Sequence, residues 1–134
     1  MARIMVIDDE AVWRELCAER LTAMGHEVST CGDCSEALER IRSDAPDLVV
    51  LDLRMPISGR SMLSALRQDR PDLPVIIHTV YSAYRDDPGL ASDTQFAVKS
   101  PDLRELMAVV ESHVAHGQQA SASRANRRGD ARAG

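Results

Sequence analysis

Three carboxylates, one threonine and one lysine stand where four apolar runs stop. Ile4-Met5-Val6-Ile7 ends in Asp8-Asp9-Glu10, and Leu48-Val49-Val50-Leu51 ends in Asp52. Pro74-Val75-Ile76-Ile77-His78 ends in Thr79, and Gln95-Phe96-Ala97-Val98 ends in Lys99. Carboxylates brought together repel unless a cation sits among them. Mg2+ suits such a place, because it takes a few carboxylates and fills its remaining positions with water and phosphate oxygens. A compact ammonium and a hydroxyl that can donate would complete a phosphoryl-binding site. Lys99 is the sole lysine among 16 basic residues, which fits a position that needs a point charge and not a guanidinium fork.

That chemistry requires elements that bring the run ends together. Leu48 to Asp52 reads as a strand buried on both faces, since Pro46 in front and Pro56 behind cut short any helix. Arg3 to Ile7 reads as strand one, Glu27 to Thr30 as strand two, Pro74 to Thr79 as strand four and Gln95 to Val98 as strand five. Between them lie helical patterns. Glu10 to Met24 carries Val12, Leu16, Leu21 and Met24 at helical spacing, with Gly25 as C-cap and Trp13 off the stripe and partly exposed. Cys34 to Ser43 has Asp33 as N-cap and turns Ala37, Leu38 and Ile41 inward. Ser61 to Gln68 turns Met62, Leu63 and Leu66 inward. Ser100-Pro101-Asp102 reads as N-cap, first-position proline and first-turn acid of a last helix to about His116. Tyr81 to Ser92 should hold a helix, but Asp86-Asp87-Pro88-Gly89 makes it short or irregular. Strands alternating with helices give an α/β doubly wound parallel sheet with all carboxyl ends on one edge, where ligands bind.

Bulk properties narrow the classes. The chain has 134 residues, 44% hydrophobic and 28% charged, as expected for one globular domain. No apolar run approaches the ~20 residues of a membrane span, and the N-terminus turns acidic too soon for a signal peptide, which points to the cytoplasm without membrane insertion. The net charge of −5 is uneven: residues 118–134 carry +3, and the rest −8. The acidic body argues against nucleic acid as a direct partner. The expected organisation is one domain over residues 1–117 and a disordered basic tail over 118–134. Cys31-Gly32-Asp33-Cys34 is formally a C-x-x-C, but no second pair or histidine partner accompanies it, and Asp33 works against a thiolate. It reads as two small residues at a strand end and a helix start. His78 reads as a core or helix-facing histidine.

The acid pair Asp8-Asp9, the segment Asp52-Leu53-Arg54-Met55-Pro56, Thr79 at the end of strand four, Phe96 three before the lysine, and Lys99-Ser100-Pro101 together resemble the receiver domain of two-component response regulators, over roughly Arg3 to His116. The resemblance implies a flavodoxin-like five-stranded sheet of order 2-1-3-4-5 with five helices, the fourth short or irregular. It also implies roles. Asp52 would be the phosphoacceptor. Asp9 and Asp52 with the backbone carbonyl of Arg54 would hold Mg2+, Asp8 acting mostly through water. Thr79 and Lys99 would bind phosphoryl oxygens, and Phe96 would report the phosphorylated state. Arg54 and Tyr81, with Val80, would tune access of water to the site. The implied partners are a sensor histidine kinase or phosphotransfer protein and a downstream protein target.

The sequence departs from the family pattern at four places. Val80 stands where a small residue is usual, and two residues separate Pro56 from Gly59 where three are usual. Ser100 stands between Lys99 and Pro101, which makes a cis peptide ahead of it costlier by several kcal/mol. The span from Thr79 to Lys99 is short. The main expectation is a stand-alone phosphorylation switch with self-catalysed phosphoryl transfer and slow hydrolysis. Three alternatives remain: a receiver-shaped adaptor that is never phosphorylated, a flavodoxin-like electron carrier, and a redox protein using Cys31 and Cys34. Asp8-Asp9-Glu10 would repel the phosphate of a flavin nucleotide.

Overall fold

Alternate side chains of a strand point to opposite sides of the sheet, and here both sides are apolar. In β1 (Arg3–Ile7), Met5 and Ile7 join one core cluster while Ile4 and Val6 join the other. The same split divides Val49 and Leu51 from Leu48 and Val50 in β3 (Leu48–Leu51), and Val75 and Ile77 from Ile76 in β4 (Val75–Thr79). Burial on both faces leaves no place for polar alternation, which is why these strands are continuous apolar runs. With β2 (Glu27–Cys31) and β5 (Gln95–Val98) they form one parallel sheet of order β2-β1-β3-β4-β5. The computed structural model describes residues 1–54, 59–81 and 94–115.

Two layers of helix cover the sheet. α2 (Cys34–Asp44) and α3 (Gly59–Asp69) lay Ala37, Ile41, Met62, Leu63 and Leu66 on one face. α1 (Ala11–Ala23) and α4, residues 104–115, lay Cys17, Leu21, Leu106, Met107 and Val110 on the other. The Asp33 side chain caps α2, accepting from the Ser35 N–H at 2.9 Å and so satisfying one of the free donors of the first turn. Both open edges are guarded. The Val98 N–H of β5 donates to the Glu105 carboxylate at 2.6 Å, and Arg40 of α2 donates to the Thr30 carbonyl of β2. Among the described residues, no helix is long and apolar enough to cross a membrane.

Two expectations need correction. Val12 and Met24 do not face in: Val12 is 73% exposed, and Met24 is exposed too. The inward stripe of α1 is the buried Cys17 and Leu21 with the partly buried Trp13 and Leu16 beside them. At about 100° per residue Val12 falls on the side of the helix away from the buried Cys17 and Leu21, whereas Trp13 lies within about 40° of Cys17 and turns its large ring toward the sheet. The last helix starts later than Ser100-Pro101-Asp102 suggests. Pro101 occupies a turn closed by the Leu103 N–H on the Ser100 carbonyl at 3.0 Å. Leu103, fully buried with φ +54°, accepts the first helical hydrogen bond from Met107, and Asp102 accepts from the Arg104 N–H at 3.2 Å. All described peptide bonds are trans, including the one before Ser100. The irregular helix expected within Tyr81 to Ser92 lies, from residue 82 on, outside the described residues, as do the loop at 55–58 and the basic tail.

Candidate functional site

The backbone ladder runs one residue past the strand ends and fixes the polar residues there. The Asp8 N–H donates to the Cys31 carbonyl at 3.1 Å, the Asp52 N–H to the Ile7 carbonyl at 3.0 Å, and the Lys99 N–H to the Thr79 carbonyl at 2.7 Å. Three of these residues then repeat one local turn. Asp8 Oδ1 accepts from the Glu10 N–H at 2.9 Å, Asp52 Oδ1 from the Arg54 N–H at 2.9 Å, and Thr79 Oγ1 from the Tyr81 N–H at 3.2 Å. One oxygen of each carboxylate is thereby tied to its own loop. The other oxygens, Oδ2 of Asp8 and Oδ2 of Asp52, both meet the Lys99 ammonium, at 2.7 and 3.1 Å.

This three-charge cluster is almost dry: the side chains of Lys99, Asp8 and Asp52 are 2%, 3% and 6% exposed. Burial pushes the Asp8 carboxyl above its ordinary value; the Lys99 contact pulls it back, and the Asp52 charge adds to the rise. Burial alone would lower Lys99, but its contacts with Asp8 and Asp52 outweigh that and hold the ammonium charged. Asp9 is exposed beside them, and carboxylate oxygens of Asp8, Asp9 and Asp52 lie within 4.8 Å of one another. Ligands of one Mg2+ at about 2.1 Å stand at most about 4.2 Å apart, so a small contraction brings all three to a shared ion. The donor set is hard oxygen with open positions on the solvent side, which fits Mg2+.

The structure brings Asp8, Asp9, Asp52, Thr79 and Lys99 together at one edge, with the backbone of Arg54 beside them. Thr79 is buried. Val80 and Tyr81 are exposed, and Arg54 does not reach over Asp52: its guanidinium lies 4.5 Å over the Tyr81 ring and donates to the Tyr81 hydroxyl. Phe96 stands apart, half-buried against the α2–α3 core cluster. Cys31 is buried at the end of β2, its thiol donating to the Asp33 carbonyl at 3.2 Å. The side chain of Cys34 lies outside the described residues, and the redox alternative with it.

Sequence reasoning missed what α1 contributes. Arg14 Nη1 donates to the Asp8 carbonyl at 2.7 Å and so pins the acid pair from outside the strand. A Cβ at Gly32 would stand 2.7 Å from that same nitrogen, so the guanidinium passes over a glycine. Trp13 lies with its ring centroid 5.1 Å from Lys99 Nζ and packs edge-to-face on His78, 5.8 Å and 89° between the rings. His78 Nδ1 faces the Cys17 thiol at 3.9 Å. Burial holds His78 down to about 4 and pushes the Cys17 thiol up to about 12, so both are neutral. One sequence signal was available: Trp13 and Arg14 stand four and five residues after Asp9, in the first turn of the helix that follows the acid pair.

Comparison with known proteins agrees with this geometry. The family model of the response regulator receiver domain matches residues 4–111. Response regulator TrrA of Thermotoga maritima, crystallised with Mg2+-BeF, superposes with a TM-score of 0.77 at 39% identity, covering 84% of this chain and 98% of that one. The same regulator in complex with histidine kinase ThkA gives 0.76 at 39% identity over 84% and 97% of the two chains. A probable transcriptional regulator, ycf27 of Porphyridium aerugineum, is 36% identical over 90% of this chain and 51% of its own length. The chain therefore belongs to the response regulator receiver family. It spans a quarter to a half of the curated relatives it matches.

Proposed function

We propose that the protein is a phosphorylation switch in which Asp52 accepts a phosphoryl group with Mg2+. The observation that carries this reading is the shared arrangement at the sheet edge. Two carboxylates, each tied by one oxygen, present their second oxygen to a single buried ammonium beside a third acid. A carboxylate oxygen of Asp52 attacks phosphorus as the bond to the donor's imidazole nitrogen breaks. Lys99 and the Thr79 hydroxyl neutralise and orient the phosphoryl oxygens, and Asp8, Asp9, Asp52 and the Arg54 carbonyl would hold the metal. Bound there, Mg2+ would supply charge neutralisation across the attacking and phosphoryl oxygens. Positioning and electrostatics supply nearly all the catalysis such a transfer needs.

The donor is a histidine kinase or a phosphotransfer protein, by analogy with the relative seen on its kinase. The output is a surface change read by a protein target. Phe96, half-buried under that surface, is the aromatic that reports the state. Val80 and Tyr81, with Arg54 stacked on the tyrosine, form an exposed rim that limits in-line attack by water and lengthens the phosphorylated state. The test is intact mass after acetyl phosphate and Mg2+. One added phosphoryl group in the wild type and none in Asp52→Asn is the expected result. No addition to the wild type would favour an adaptor regulated by other means, and addition to Asp52→Asn would move the acceptor elsewhere.

A further inference from the structure

Lys99 must do two incompatible things in the proposed switch. Before phosphorylation its ammonium bridges Asp8 and Asp52; afterwards it has to reach a phosphoryl oxygen. It makes the exchange in a site where its side chain is 2% exposed, so water cannot hold the charge in transit. Directional partners are poor guides for such a move, since a hydrogen bond weakens steeply as its angle opens. An aromatic face is a better one. Its attraction for a cation is broad, reaches about 6 Å and strengthens where water is excluded.

One aromatic face stands in that place. The Trp13 ring lies 5.1 Å from Lys99 Nζ. Its own position is fixed from two sides. Its neighbour Arg14 anchors the first turn of α1 to the Asp8 carbonyl, and its ring meets His78 edge-to-face. His78 belongs to β4, directly before Thr79, and pairs across the ladder with Ala97, two residues before Lys99. Its Nε2 is buried with no hydrogen-bond partner among the described residues. That is a costly arrangement for a residue that only fills space. As a neutral ring it packs against the indole without setting a second positive charge beside Lys99.

We propose that Trp13 is the positioning residue for Lys99: its indole face, backed by His78, keeps the ammonium over the carboxylates and guides it to the phosphoryl group. The phosphorylation arm of the test rests on the function proposed above; the spectroscopic arm does not. Trp13 is the only tryptophan, so the emission comes from this ring alone. In metal-free buffer Lys99→Met should change the emission, while the surface substitution Asp69→Asn should leave it as in the wild type. In the second arm, Trp13→Phe keeps an aromatic face and Trp13→Leu keeps only apolar volume. Labelling by acetyl phosphate with Mg2+ should stay within about threefold of wild type in Trp13→Phe and fall about tenfold in Trp13→Leu. Melting curves of both variants give their folded fractions, to which the rates are referred. Equal rates in the two variants, or emission indifferent to Lys99→Met, would overturn the proposal. A wild type that takes no phosphoryl group would overturn the switch reading and the guiding step with it, and the emission comparison would then decide whether Trp13 holds Lys99 in the resting site.

Discussion

At the carboxyl edge of the sheet, Lys99 meets Asp52 at 3.1 Å; at the amino edge, Arg3 meets Glu27 at 3.1 Å. The first pair is almost wholly buried, and the second is more than half exposed on both sides. Arg3 is tied further by its N–H to Asp47 and its guanidinium to the Asp44 carbonyl, all in contact with water. Equal distances therefore carry unequal energies. Exposed ions keep most of their hydration and are screened by salt, so either partner is dispensable. Buried ions have given up hydration and depend on one another, so removing one strands the rest. The amino edge closes a fold. The carboxyl edge carries more negative charge than its one lysine balances, which suits a site that recruits a metal ion.

The sharpest way to break this contrast is Lys99→Met. In metal-free buffer it should lower unfolding stability by about 3 kcal/mol, because Asp8 and Asp52 lose the buried ammonium they share. Mg2+ should restore more stability to this variant than it adds to the wild type, since the ion takes over the lysine's charge. Urea titrations with chelator and with Mg2+ measure both effects. A loss no larger than that of a surface variant would mean that burial has not raised the stakes at this edge.

The next effect is a pH slope. His78 has a folded value of about 4 against 6.5 when unfolded. The unfolded chain binds the extra proton between those limits, so stability falls as pH drops from about 6.5 to 4, by about 3 kcal/mol. Asp8, raised by burial, works the other way in the acid range. The comparison of wild type with His78→Leu removes that common contribution, and the variant should lose less stability on acidification. Parallel curves for the two proteins would show that His78 takes up its proton without unfolding.

A smaller effect separates the members of the cluster. Asp9→Asn should weaken Mg2+ about tenfold by calorimetry, near 1.4 kcal/mol, while Asp69→Asn, paired with Arg42 at the surface, should leave it unchanged. Equal effects would reduce Asp9 to a source of general negative potential. The smallest effect belongs to the amino edge. Arg3→Ala should cost no more than about 1 kcal/mol, and high salt should erase most of the difference.

How much of this was legible in the sequence follows from what each signal reports. Buried parallel strands announce themselves as apolar runs, so Ile4 to Ile7, Leu48 to Leu51 and Val75 to Ile77 were placed correctly, and with them the acids and the threonine at their ends; Gln95 to Val98 placed Lys99 in the same way. Cap chemistry is local, so Asp33 was readable. The face of α1 was not, because Val12 and Trp13 are adjacent apolar residues and only packing decides between them. The start of α4 was misread because proline serves equally as a first helical residue and as the second residue of a turn. Arg14, Trp13 and His78 were invisible as a group, since residues from α1 and β4 meet at Lys99 only once the sheet is assembled.

The passage of Arg14 over Gly32 ties two distant positions into one heritable unit. A methyl group at residue 32 would meet the far end of a flexible side chain, so Gly32→Ala threatens the fold little. What it displaces is the grip on the Asp8 carbonyl. Selection would therefore see a change in β2's exit loop as a change in the acid pair. Drift at residues 14 and 32 is then not independent. Descendants of this sequence should acquire a side chain at 32 only where residue 14 has already become short, and the reverse order of events should be rare.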